Sequence, residues 1–172
     1  MMTVTAHTER SDVIEKGRLA DLYARHAPRA SRLAYLLTGD PHLAEDLMQE
    51  AFVRVFGRFV DLRRPDAFES YLRRTLVNLA RSHFRRRRTE RDYLAAQPRR
   101  EPVVAAADPS EQDAMWHSLQ QLSQKQRTAI VLRYYEDLSD AQVADAMRCP
   151  VGTAKSLIHR GLERLRTEVT QP

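Results

Sequence analysis

The sequence predicts an all-α protein of two small helical domains joined by a flexible linker, the second of them a helix-turn-helix. Three observations predict this. Apolar residues recur at helical spacing in nearly every segment, and no stretch alternates as a strand would. Residues 93–110 lose that period and carry Pro98, Pro102 and Pro109, the composition of a linker. Ser139–Leu165 reads as two short helices around a tight turn, the second of them basic and polar.

The elements follow in order. Residues 1–17 are polar with no apolar signal core, and they are expected to be disordered. Leu19, Leu22, Tyr23, Ala30, Leu33, Ala34 and Leu37 then mark a first helix, with a break or kink expected near His26–Pro28 and an end at Gly39. Asp40-Pro41 opens the next helix as a capping acid with proline at the first helical position. Its wide apolar stripe runs from Leu43 to Phe59, and its other face shows Asp46, Gln49, Glu50 and Arg54.

After a polar loop, a third helix is predicted from about Ala67 to Arg88. Phe68, Tyr71, Leu72, Leu76, Leu79 and Ala80 lie on its apolar side, and Arg74, Asn78, Arg81, Arg85 and Arg88 line up along another face. Past the linker, Met115, Trp116, Leu119 and Leu122 mark a helix. Ser123–Gln126 is a capping box for the next helix, with Ile130, Val131, Tyr134 and Tyr135 expected toward a core. Ser139–Gln142 is a second capping box, opening a short helix that buries Val143, Ala144 and Met147. Arg148–Gly152 is the turn, and the last helix buries Ala154, Ile158, Leu162 and Leu165, with Leu157 at the stripe's edge.

Composition narrows the function classes. The chain of 172 residues holds 28 Lys and Arg against 23 Asp and Glu, a net charge of +5, and nearly all the cations are arginine. Arginine suits bidentate phosphate and base-edge contacts. The single cysteine, Cys149, permits no internal disulfide and fits a reducing cytoplasm. No apolar run is long enough to cross a membrane, so no membrane partner is expected. There is no phosphate-cradling glycine loop, no helix with paired metal-binding histidines and no paired cysteine motif. No enzymatic activity, metal or cofactor is therefore expected.

Three surfaces remain as candidates. On the last helix, Thr153, Lys155, Ser156, His159 and Arg160 sit at the N-terminal end or on the polar face, placed to meet phosphates and base edges of duplex DNA. On the third helix, the Arg/Asn row can follow a phosphate backbone, and Phe68 and Tyr71 are either core residues or platforms for an unpaired base. On the second helix, Asp46, Gln49, Glu50 and Arg54 form either a solvated face or a docking face for a protein. A DNA-binding regulator acting without polymerase would use the helix-turn-helix but leaves the third helix without a role. An RNA-binding protein would use the arginine run but not the turn.

Three motifs in this order resemble the extracytoplasmic-function (ECF) sigma factors, the smallest specificity subunits of bacterial RNA polymerase. AEDLMQEAFVRVFGRF (44–59) is similar to the family's polymerase-binding helix, AFESYLRRTLVNLARSHFRRRR (67–88) to its −10-melting helix, and LSDAQVADAMRCPVGTAKSLIHRGLERL (138–165) to its −35-reading helix-turn-helix. The resemblance implies a region 2 domain over 18–92, a linker over 93–110 and a region 4 domain over 111–172. It implies that Asp46, Gln49, Glu50 and Arg54 bind the clamp helices of core RNA polymerase, and that the Leu122–Tyr135 segment helps dock on the flap. The loop Leu62–Ser70 would capture a flipped base, and the linker would thread toward the active-site cleft.

The −10 set is then Arg63, Arg64, Phe68, Ser70, Tyr71, Arg74, Asn78, Arg81 and Arg85. The −35 set is Thr153, Lys155, Ser156, His159 and Arg160. Tyr71 stands where the family commonly has tryptophan, Leu157 where many members have arginine, and His159 at a variable specificity position. The partners implied are core polymerase, promoter DNA and, as a further class, an anti-sigma factor, with the free chain a monomer.

Overall fold

The computed structural model describes residues 4–59, 67–94 and 111–169, with side chains described over 17–57, 67–90 and 116–167. All regular structure in these residues is helical. A first domain contains α1 (Val4–Thr38), α2 (Pro41–Phe59) and α3 (Phe68–Leu94). A second contains α4 (Glu111–Gln120), α5 (Gln124–Ile130), which continues as a π-turn over Val131–Tyr135, α6 (Asp140–Met147) and α7 (Val151–Val169).

α1 departs from expectation at two points. It begins at Val4, upstream of the disordered segment's expected end at residue 17. The stretch from Val4 to Gly17 contains no proline, so a helix nucleated downstream can extend into it one hydrogen bond at a time. It also runs unbroken through Pro28. Proline removes the bond to the carbonyl of Ala24, but both residues lie on the exposed side, where the orphaned acceptor is open to solvent. Ala30, Leu33 and Leu37 on the opposite side are buried and hold the helix to the core.

The α1–α2 corner forms as the sequence predicts. Gly39 adopts φ +73° and its N–H donates to the Tyr35 carbonyl at 2.7 Å, the left-handed stop that glycine takes without penalty. Asp40 Oδ1 accepts from the N–H groups of His42 at 2.9 Å and Leu43 at 3.1 Å, capping α2. The core beneath joins Leu33, Leu36 and Leu37 to Ala51, Phe52 and Val55 and to Phe68, Leu72 and Leu76. Each large side chain fully buried there stabilises the fold by roughly 1.5–3 kcal/mol.

In the second domain both predicted capping boxes are formed, at Ser123 with Gln126 and at Ser139 with Gln142. Arg127 ties α5 to the end of α4. Its guanidinium stacks 4.5 Å from the Trp116 ring centroid and Nε donates to the Leu119 carbonyl at 2.9 Å. Burial pushes the pKa of this guanidinium down. α5 and α7 approach closely at Gly161, where a Cβ would fall 2.8 Å from Ile130 Cγ1.

The π-turn overturns one sequence expectation. Tyr134 and Tyr135 do not face the core; they are 57% and 37% exposed, and Leu132 is buried instead. The wider turn, seen in the Glu136 N–H donating to the Val131 carbonyl at 3.1 Å, inserts a residue into the α-helical register. Every side chain beyond it rotates by about one position, and Glu136, 5% exposed, is carried inward.

The two domains pack together. Trp116, 8% exposed, lies against Gly39 and faces the ring of Tyr35 with centroids 6.0 Å apart. Glu136 meets Arg29 of α1 and Arg73 of α3.

Candidate nucleic-acid interface

α3 is amphipathic in the way its sequence requires. Phe68, Leu72, Leu76, Leu79 and Ala80 are buried against α1 and α2. The same 3.6-residue period therefore turns Arg74, Asn78, Arg81 and Arg85 to the other side. These four, with Arg54, Tyr71, Thr75, Ser82 and Arg148, line a cleft of about 770 Å³ between the domains. Its charged lining residues are all arginines, a setting that attracts phosphate.

The first domain's predicted residues do not all meet in this cleft. Tyr71, half-buried, is at its edge, and Asn78 is inside it. Ser70 lies outside, exposed at the start of α3, with Oγ donating to the Ala67 carbonyl at 2.9 Å. Phe68 must be removed from the base-contacting set. It is completely buried, with its ring 5.7 Å from that of Phe56 and 5.1 Å from that of His26, so no base can reach it. Arg63 and Arg64, with the rest of the loop before Ala67, lie outside the described residues, as does the linker from residue 95 to 110.

Two of the cleft's arginines, Arg74 and Arg81, have partners from the second domain. The Arg74 guanidinium is ion-paired with Asp145 of α6. Arg81 Nη1 donates to the Met147 carbonyl at 3.4 Å. Arg148 was missed as a candidate. It ends α6 in the left-handed conformation, φ 52°, and this turn geometry sends its side chain to the cleft. The sequence signal available was a basic residue at the C-cap between α6 and Pro150.

α7 presents a separate surface. Ala154 and Ile158 are buried, Leu157 is at the edge of the stripe as expected, and Thr153, Lys155, Ser156, His159 and Arg160 are all exposed. Ser156 Oγ donates to the Gly152 carbonyl at 2.9 Å, and His159 Nδ1 lies 3.3 Å from Glu163 one turn on. Lys155 and Arg160 extend this face with positive charge.

On α2, Asp46, Gln49, Glu50 and Arg54 are exposed along one face, with Arg54 ion-paired to Glu50 and Gln49 Nε2 donating to Glu45 at 3.3 Å. Val53 shares this face and is 71% exposed. An apolar residue off the buried stripe, amid a polar patch, is the kind of anchor a protein partner covers. Its place between Phe52 and Arg54, out of the stripe's period, was the signal that could have found it.

Two family models match the chain, sigma-70 region 2 over residues 22–90 and sigma-70 region 4 over residues 112–165. The chain is 38% identical over 155 residues to the ECF RNA polymerase sigma factor SigE of Mycolicibacterium smegmatis, covering 85% of this chain and 59% of that protein. It is 33% identical over 138 residues to the RNA polymerase sigma-E factor of Streptomyces coelicolor, covering 80% of this chain and 78% of the relative. In fold it is similar to the sigma factor RpoE of Bartonella quintana, solved in complex with the anti-sigma factor NepR. That likeness has a TM-score of 0.70 at 23% identity and covers 88% of this chain and 96% of the other.

Proposed function

The chain belongs to the ECF sigma factors of the sigma-70 family, and from that premise we propose how its surfaces divide the work of starting transcription. The exposed α2 face, with Val53 among Asp46, Gln49, Glu50 and Arg54, docks on core RNA polymerase. α7 enters the major groove of the −35 duplex, where Lys155 and Arg160 neutralise phosphates and Ser156 and His159 meet base edges. The Arg74–Asn78–Arg81–Arg85 row of α3 receives the opened −10 strand, with Tyr71 at its edge.

The observation that carries this reading is the separation of the two cationic helix faces. One is a concave cleft suited to a single strand, and the other is an exposed helix able to enter a groove. Unstacking a base step takes roughly a few kcal/mol. Phosphate contacts along α3 and capture of unpaired bases offset that penalty without any bond chemistry by this chain. Family membership, rather than the fold likeness to a sigma factor solved with NepR, keeps an anti-sigma factor among the proposed partners.

The test is run-off transcription from fragmented genomic DNA by purified core polymerase, with and without this chain. New discrete transcripts are expected only when the chain is present. No new start sites, together with no association with core polymerase, would overturn the assignment.

A further inference from the structure

The cleft beside α3 gathers more positive charge than its neighbours balance. Five arginines line it: Arg54 from α2, Arg74, Arg81 and Arg85 from α3, and Arg148 from the end of α6. Carboxylates meet two of them, Glu50 on Arg54 and Asp145 on Arg74. Among the described residues, Arg81, Arg85 and Arg148 have no carboxylate partner. Arg81 gives one N–H to the Met147 carbonyl at 3.4 Å, and a guanidinium has more to give. Like charges converging on a concave site repel one another, and a bound anion relieves that repulsion.

The donors are set in order. Residues three or four apart on a helix stand roughly 5–6 Å from one another, so Asn78, Arg81, Ser82 and Arg85 offer successive donors along one wall. Arg148 faces them from the other wall. Met147, its chain neighbour, is the residue that Arg81 reaches, which places Arg148 at the Arg81–Arg85 end. Its left-handed backbone, φ 52°, is fixed by its N–H donating to the Asp145 carbonyl at 3.1 Å. A nucleic-acid strand spreads one charge per nucleotide along an extended backbone. Guanidiniums closing on one cavity from two walls match several charges carried on one short group.

We propose that this cleft is a binding site for a polyphosphate group of three or more phosphates, with Arg81, Arg85 and Arg148 as its clamp. That group is the chemistry shared by nucleoside triphosphates and inorganic polyphosphate. Guanidinium forks pair with phosphate oxygens bidentately, and three unbalanced cations suit a triphosphate better than a single phosphate. The cleft, about 770 Å³, is of a size that takes small ligands and has room for a nucleoside beside the phosphates. Asn78 lies there with an amide donor and acceptor to offer a base edge. The site does not depend on the reading that α3 receives the opened strand, although Arg81 and Arg85 serve both.

The experiment is calorimetric titration of the full-length chain, in magnesium-free buffer at physiological salt, with orthophosphate, pyrophosphate, inorganic triphosphate, ATP and GTP. One triphosphate per chain is expected, bound about tenfold tighter than pyrophosphate, with orthophosphate weaker again. Arg148→Asn and Arg85→Ala should each weaken triphosphate binding about tenfold. Asparagine tolerates the left-handed turn, and Arg85 is exposed within α3, so both variants should fold. Arg164→Ala removes the same charge from an exposed position on α7 and should leave triphosphate binding unchanged.

Equal affinity for orthophosphate and triphosphate, or a loss in Arg164→Ala as large as in the two cleft variants, would overturn the site, because charge alone would then account for binding. ATP or GTP binding tighter than inorganic triphosphate, by a margin that Asn78→Ala removes, supports the site with a nucleotide as its occupant. Equal affinity for the three supports it with the inorganic chain. Run-off transcription with core polymerase in parallel separates the two ideas. Transcription without triphosphate binding sinks the site alone, and triphosphate binding without transcription sinks the proposed division of surfaces and leaves the site standing.

Discussion

α3 and α7 carry the same chemistry in opposite states. Both are amphipathic helices whose polar faces are rich in arginine or lysine. On α7, Lys155 and Arg160 face outward and the domain below only supports them. On α3, Arg74 and Arg81 are engaged by Asp145 and the Met147 carbonyl of the neighbouring domain. A residue's type thus says what it can bind, and what packs against it says when. The free chain should accordingly bind duplex DNA through α7 more readily than single-stranded DNA through α3.

The largest expected effect comes from removing the apolar anchor between the domains. Trp116 is buried against Gly39, Tyr35 and Arg127. Trp116→Ala should lower stability by about 3–5 kcal/mol, as other large core truncations do, measured by urea unfolding. In the surviving folded fraction, strand binding should rise while duplex binding through α7 is unchanged. A parallel change in both would mean that the two surfaces are not separately controlled.

Next in size is Arg160→Ala. Losing one phosphate contact should weaken duplex binding about equally across sequences and lower the salt slope by about 1. Single-strand binding should not change. The matching variant on the other surface is Asn78→Ala, which should slow open-complex formation about tenfold while leaving polymerase association intact. Permanganate footprinting of unpaired thymines reads the first, and gel-shift with core polymerase reads the second. Equal loss in both assays would move Asn78 from strand capture to fold support.

These surfaces were legible in the sequence to different degrees. The caps at Asp40, Ser123 and Ser139 are local rules written in adjacent residues, and all three form. The polar faces of α3 and α7 follow from helical period and are where the spacing puts them. Phe68 was misassigned because period alone does not measure depth: the apolar side includes rim positions and central ones alike, and Phe68 is at the centre. Tyr134 and Tyr135 were misassigned because a single π-turn shifts the register, and its wider hydrogen bond has no mark in residue type. The engagement of Arg74 by Asp145 joins residues on α3 and α6, and nothing local announces a contact between domains.

A smaller effect sharpens the contrast between the two surfaces. Asp145→Asn removes the carboxylate on Arg74 but leaves the ion pairs of Glu136 with Arg29 and Arg73. Because the pair is largely exposed, its removal should change stability by no more than about 1 kcal/mol. Strand binding through α3 should rise, because Arg74 loses its competing carboxylate. Unchanged strand binding would show that Arg74 does not hold a strand phosphate.

The smallest expected effect is a pH dependence confined to the first domain. His26 is half-buried against Phe68, and its pKa is lowered, first by burial and then by Arg25 and Arg29, with Glu69 opposing. The folded-state pKa therefore lies below the ordinary value of 6.5. Between those two values the unfolded chain binds more protons than the folded one, so stability rises with pH across that window and is lost as pH falls through it. Thermal melts between pH 7.5 and 5.5 should show the loss in wild type and a weaker loss in His26→Gln. Hydrogen exchange should locate it in α1 and α3 rather than α7, because His26 packs on Phe68 and beside Glu69, whereas the α7 histidine, His159, is exposed beside Glu163. A loss spread equally over both domains would show that acid acts through the ion pairs of Arg29 with Glu69 and Glu136 rather than through His26 alone.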